Sequence, residues 1–232
     1  MNRFEKIVLG ITGGSHLSVH ALMLALPSLI PILRQEFSTG LDTLGLVVTF
    51  SAFMFGIGAI PSGWAESRLG GKTLLLLYLF CSGIAAVIVA LSNSFILLIF
   101  GLGLLGFSCS IYHPAGLTLI SQRVQAITKG MAVHGIFGTT GSALGPIMAT
   151  TLAFLISWRA SYAVLGVFNI ILALATIVVI PKRDHSGIEK IEQQENRVEK
   201  TNRPALILFL YDQYAHGVCL LRFYDFHAYS FC

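Results

Sequence analysis

Six stretches of this chain, residues 7–33, 42–64, 73–91, 94–121, 131–156 and 161–180, contain no Asp, Glu, Lys or Arg apart from Asp42 at the edge of the second. A bilayer core of ~30 Å is crossed by about 20 helical residues at ~1.5 Å each, and every stretch is close to that length or longer. In hydrocarbon an unpaired backbone N–H or C=O has no water to turn to, so a run of this kind spans only as a helix. The pattern therefore predicts an all-α fold, a polytopic membrane helix bundle with six transmembrane helices. Turn-forming residues separate the runs: Phe37-Ser38-Thr39-Gly40, Gly70-Gly71-Lys72, Ser92-Asn93-Ser94 and Lys129-Gly130.

Composition excludes the main alternatives. Charged residues are 11% of the chain and hydrophobic ones 55%, whereas a soluble domain carries about 25% charged residues. The net charge of +4 does not point to nucleic acid, because the basic residues lie between the apolar runs and form no basic face. The expected surroundings are a lipid bilayer. Cys81, Cys109, Cys219 and Cys232 have no C-x-x-C spacing, and the first two sit inside apolar runs, where cysteine is a small packing residue. The first run is longer than the ~7–15-residue core of a cleavable signal, so it stays in the membrane.

Charge also orients the bundle. With the amino terminus inside, Arg3, Lys6, Arg68, Lys72, Arg123, Lys129, Lys182, Arg183, Lys190, Arg197, Lys200 and Arg203 are cytoplasmic, while Arg34 and Arg159 are outside. Arg222 is left unassigned. Twelve basic residues against two is a strong positive-inside bias. The expected location is the cell membrane, multi-pass, with a cytoplasmic amino terminus.

Three motifs then occur in order. Gly63-Trp64-Ala65-Glu66-Ser67-Arg68-Leu69-Gly70-Gly71-Lys72 joins spans two and three. Gly138-Thr139-Thr140-Gly141-Ser142-Ala143-Leu144-Gly145-Pro146 lies in span five, and Trp158-Arg159-Ala160-Ser161-Tyr162 opens span six. Together they resemble the major facilitator superfamily of secondary transporters: its interhelical loop signature (Gly63, Glu66, Ser67, Arg68, Gly70 and Lys72 here), the Gly-Pro motif of its proton-coupled antiporters, and its Trp-Arg-x-x-aromatic start of span six. His16 with Leu26-Pro27-Ser28-Leu29-Ile30-Pro31, and Tyr112-His113-Pro114-Ala115-Gly116, are similar to the fosmidomycin-resistance branch. There are departures. Ser67 stands where the signature usually has Asp, with Glu66 one place earlier and so ~100° around the helix. Gly71 stands where a basic residue is common, and span four has no Arg or Lys between Phe95 and Ser121.

Intramembrane ionisable groups are costly and are functional candidates by default. Spans one to six contain His16, His20, His113 and His134. His16 and His20 are four apart and share a helix face. The resemblance places spans one and four around the central cavity, which makes His16, His20, Tyr112 and His113 candidates for the path of solute and protons. His134, near the cytoplasmic end of span five, is a further candidate for that path, with a simple place at the interface as the alternative. No carboxylate or thiolate pattern completes a two-histidine metal site, so no metal and no cofactor are expected. Gly101-Leu102-Gly103-Leu104-Leu105-Gly106 spells G-x-G-x-x-G, yet it follows no strand and opens no helix; it reads as a close-packing surface. Gly138, Gly141, Gly145 and Pro146 are expected to let another helix approach span five closely.

Three regions follow: a six-helix bundle over 1–181, a charged cytoplasmic linker over 182–203, and 204–232 as an incomplete seventh span that suggests a frameshift or premature stop near Asp212. The expected function is secondary transport of a small organic solute, as proton-coupled efflux, with a second six-helix half or a second copy completing the transporter. Metabolite uptake and a non-transporting remnant or structural partner are the alternatives. No enzyme is expected, since no nucleophile–base pair occurs.

Overall fold

A computed structural model describes residues 1–181, which form one unit; the linker and the tail lie outside the described residues. Six helices follow in order: α1 (Arg3–Glu36), α2 (Leu41–Ala90), α3 (Phe95–Ser110), α4 (Tyr112–Arg123), α5 (Ile127–Leu155) and α6 (Trp158–Val179). Arg3–Glu36, Leu41–Ala90, Phe95–Arg123 and Trp158–Val179 are each long and apolar enough to cross a membrane. With no strand among the described residues, the fold class is an all-α polytopic membrane bundle.

Helix α1 begins with reciprocal capping. The Asn2 side chain accepts from the Glu5 backbone N–H, and the Glu5 carboxylate accepts from that of Asn2, both at 2.8 Å. Glu5 also accepts from the Gln125 N–H at 3.0 Å, which ties the start of α1 to the end of α4.

At 50 residues, α2 would be about 75 Å long if straight, more than twice a bilayer core. It is not straight. Its first arm runs parallel to α3 and α4: Ser51 donates to the Leu102 carbonyl, Gly58 faces Phe107 and Ser110, and Glu66 accepts from Thr118. Past Gly70 the order inverts, with Gly71 against Ala115 and Leu119, and Val89 against Gly101. The chain therefore reverses at Gly70, whose φ of 74° and ψ of 159° lie in a region open essentially only to glycine. The segment 65–72, expected as a loop, is helical except at this one residue. Ser67 donates back to the Trp64 carbonyl and the Arg68 guanidinium lies 3.7 Å from the centre of the Trp64 ring, so local contacts hold the helix up to the reversal.

The fourth apolar run is divided into α3 and α4 at Ile111. Pro114 explains the division. It lacks the N–H that would bond the Ser110 carbonyl, and its ring crowds that carbonyl. The next bond, from Ala115 N–H to the Ile111 carbonyl, is stretched to 3.5 Å. Between α4 and α5 the break falls at Val124–Ala126, so Lys129-Gly130, expected as a turn, lie in the first turn of α5.

The outer surface is apolar as well as the core, which is built mainly of Leu, Val, Ala and Tyr. On α6, Val164, Val167, Ile171, Leu174 and Val178 are exposed, while Ser161, Tyr162, Gly166, Asn169 and Thr176 are buried. Steps of three and four residues put each set on one face, and the apolar face suits lipid. Inside, Ser18 donates to the Asn169 side-chain oxygen at 2.6 Å and the Asn169 amide donates to Ser82 at 2.8 Å. This network joins α1, α6 and the second arm of α2. Ion pairs and charge-bearing hydrogen bonds gather at the two ends. Arg159 pairs with Glu36 at 2.8 Å and donates to the Ser92 carbonyl. At the other end Lys72 donates to the Ile177 and Ile180 carbonyls, and Arg123 to that of Pro181.

Candidate functional site

Helices α1 and α5 run parallel and touch along a stripe of small residues. The buried positions of α5 are Gly130, His134, Gly138, Gly141, Gly145 and Ala149, spaced by three and four. Gly141 lies over the backbone of Leu17 and Gly145 over that of Ala21. At Gly138 the neighbour is the ring of His16: a Cβ there would come within 2.7 Å of its Nδ1. The stripe thus leaves a slot in the seam, and His16 fills it. Pro146 lies within α5, which continues through it as an α-helix.

Four imidazoles converge on that slot. His16 stacks on His134 with ring centres 3.9 Å apart, and His16 and His113 meet edge to face at 5.4 Å. His20 lies 5.9 Å from His113, ring to ring. His16 Nδ1 is 2.8 Å from the His134 backbone oxygen, and His20 Nε2 is 3.1 Å from His16 Nε2. A carbonyl only accepts, so neutral His16 carries its proton on Nδ1 and presents a lone pair on Nε2. His20 Nε2–H is then the donor to it. These tautomers are inferred from the network.

Burial divides the cluster. His16 and His134 are 8% and 4% exposed, whereas His20 and His113 are half-buried and form its accessible side, with Phe55 against His113. The stripe carries His134 inward against His16. Tyr112, expected to line a cavity, is fully buried. Its hydroxyl donates to the Thr12 carbonyl and lies 3.3 Å from His134 Nδ1, so it fastens α4 to α1 beneath the imidazoles.

No carboxylate or thiolate accompanies the His16–His20 pair in the sequence; the structure brings a third imidazole, from α4, beside it. One ligand atom each from His16, His20 and His113 lie within 4.8 Å of one another. Spacing along one helix could not reveal a donor from another.

The loop signature lies apart from the cluster, at the end of the bundle with the α6 carboxyl terminus. Glu66 reaches the Thr118 hydroxyl at 2.7 Å, while Ser67 bonds only within its own turn. Gly71 has a physical reason to lack a side chain: a Cβ would meet the Ala115 carbonyl and Leu119 at 3.1 Å. Gly63 has open space beside it. The G-x-G-x-x-G of α3 is a packing surface, with Gly101 against Val89, Gly103 against Phe50 and Gly106 against Ser51. Sequence reasoning passed over Ser18, Ser82 and Asn169. The readable signal was one carboxamide, Asn169, in the middle of an apolar span.

A family model described as Major Facilitator Superfamily matches residues 12–226. An uncharacterized transporter of Buchnera aphidicola subsp. Schizaphis graminum is 22% identical over 183 residues, 77% of this chain and 44% of that protein. The inner membrane transport protein YnfM of Escherichia coli K12 is 22% identical over 187 residues, 79% of this chain and 44% of it. The MFS-type transporter ppzB of Metarhizium rileyi is 32% identical over 127 residues, covering 53% of this chain and 26% of that one. The chain thus spans less than half the length of these relatives.

Proposed function

This chain belongs to the Major Facilitator Superfamily, and from that premise we propose that it forms one half of a secondary transporter, exchanging a small organic solute for protons across the membrane in the direction of efflux. Members of the family are transporters and not enzymes. Two six-helix halves enclose a site near the bilayer midplane in such proteins. We assign the second half to a second six-helix bundle.

The observation that carries the proton coupling is the chain of imidazoles. A second proton on His16 would go to Nε2 and set two N–H groups face to face at the 3.1 Å contact with His20. That contact then has to open. Protonation is thereby linked to the placement of His20, and through it to the accessible side of the cluster. Histidine is the side chain suited to such a switch near neutral pH.

The test is solute-evoked proton movement in everted vesicles carrying the full chain, followed with a pH-sensitive dye across a panel of organic solutes. The expected result is dye recovery with at least one solute, abolished by a protonophore. His113→Ala and His16→Ala should reduce it at least about tenfold, the scale of a lost proton-transfer group. His134→Ala should have less effect, because His16 uses the backbone carbonyl of that residue. Folded protein that moves no protons with any solute overturns the transport reading and favours the inert bundle. Equal, near-wild-type activity in all three variants removes the histidines from it.

We further place the end of the bundle bearing Glu5, Lys72 and Arg123 in the cytoplasm, on the strength of the basic-residue bias. Single cysteines at Thr39 and Lys190, in a chain with its own cysteines replaced by serine, check this with an impermeant thiol reagent on intact cells. Thr39 should label and Lys190 should not; the reverse pattern inverts the topology.

A further inference from the structure

We propose that His16, His20 and His113 form a binding site for a divalent transition-metal ion of the zinc class, a site that stands whether or not the chain carries protons or solute. The donor set is imidazole alone, which suits zinc, copper, nickel or cobalt and not magnesium or calcium, whose sites are built from oxygen. Two donors come from one face of α1 and the third from α4, so an ion there would bridge two helices. His16 is already arranged as a ligand. Its Nδ1–H is engaged by the His134 carbonyl at 2.8 Å, the outer-shell contact that fixes the tautomer and ring direction of metal-bound histidine. Its Nε2 lone pair then points at His20 Nε2, 3.1 Å away.

Distances support the assignment. Zn–N bonds of ~2.0–2.1 Å in a tetrahedron put two donor nitrogens about 3.3 Å apart. The His16–His20 pair is near that spacing now. The three ligand atoms lie within 4.8 Å of one another, so His113 has to close by at most about 1.5 Å to complete the set. It stands three residues from Ser110, whose carbonyl lacks its helical partner because of Pro114, and the stretched turn there can yield. Binding replaces the His20-to-His16 hydrogen bond with two metal bonds, and His20 gives up its Nε2 proton to Nδ1 or to water. Three protein nitrogens leave a fourth position open. His20 and His113 are half-buried, so water or an anionic group could reach the ion from their side. Mutual hydrogen bonding among the histidines is the rival account of the same cluster, and it predicts no ion.

The experiment titrates the purified full chain in detergent, stripped with a chelator, with Co²⁺ as the spectroscopic probe and Zn²⁺ as competitor. The expected result is a visible cobalt absorption that saturates at one ion per chain and is displaced by zinc. His20→Gln and His113→Gln should each weaken binding at least about tenfold, as loss of a metal-site residue does. Gly135→Leu, on α5 but outside the cluster, should retain it, since nothing lies within 4 Å of the Cβ it adds. Elution as a single monodisperse species is required of each variant, and the two glutamine variants retain hydrogen-bonding capacity so that folding survives. A cobalt signal unchanged in the double variant His20→Gln/His113→Gln overturns the proposal by placing the ion elsewhere. So does folded wild-type chain that gives no cobalt absorption at millimolar metal.

Discussion

Gly141→Leu is expected to leave little or no monodisperse folded protein after detergent extraction. A Cβ at that position would sit 2.7 Å from the Leu17 Cα, and backbone cannot rotate aside as a side chain can. Overpacking a core usually costs about 1–3 kcal/mol; here relief requires α1 and α5 to separate along the whole seam, so the upper end of that range or beyond is expected. Gly135→Leu on the same helix is the control, because nothing lies within 4 Å of the Cβ it would add. Leucine is a better helix former than glycine, by somewhat less than the ~0.8–1.0 kcal/mol that separates glycine from alanine, so this control should melt no lower than the parent. Thermal melting of both variants in detergent decides the matter. Equal melting would mean that the seam does not depend on glycine.

Asn169→Ala is expected to cost about 2 kcal/mol, the sum of two moderate effects. Interhelical hydrogen bonds in membrane proteins average only ~0.6 kcal/mol, so the two made by Asn169 account for about half. The void left among three fully buried residues supplies the rest. Ser82 keeps its bond to the Tyr78 carbonyl, and Ser18 can turn to its own helix, which is why the cost stays below that of a stranded polar group. A cycle with Ser18→Ala separates the terms by denaturant titration in mixed micelles. The second substitution should cost measurably less once Asn169 is gone. Strict additivity would show that the Ser18–Asn169 contact contributes nothing.

The helices were largely legible because lipid imposes one solution on a long uncharged run. Each run is helical, though the second and third share α2 and the fourth is divided between α3 and α4, and Gly70-Gly71 marked the reversal. What escaped was partnership. Glu66 reaching Thr118, His134 lying on His16 and Asn169 between two serines are contacts between distant segments, and hydropathy carries no information on which faces meet. His16 and His20 could be placed on one face because they share a helix. His113 and His134 could be joined to them only through the packing of α4 and α5 on α1. Pro114 was a visible cue to the break at Ile111, masked by the continuity of the apolar run around it. Tyr112 shows the same limit: its residue type suits a cavity wall, and only the Thr12 carbonyl above it explains its burial.

The break at Ile111 has one more consequence. A helix with an intact ladder spreads any bending over its length, whereas missing and stretched bonds concentrate bending where they occur. The rod formed by α3 and α4 therefore has a pivot, and His113 rides on it. A side chain at a pivot is displaced little but turned a great deal when the two halves tilt. The orientation of the third imidazole thus reports the angle between α3 and α4, and whatever grips that imidazole, a proton, an ion or a neighbouring ring, holds the angle in turn.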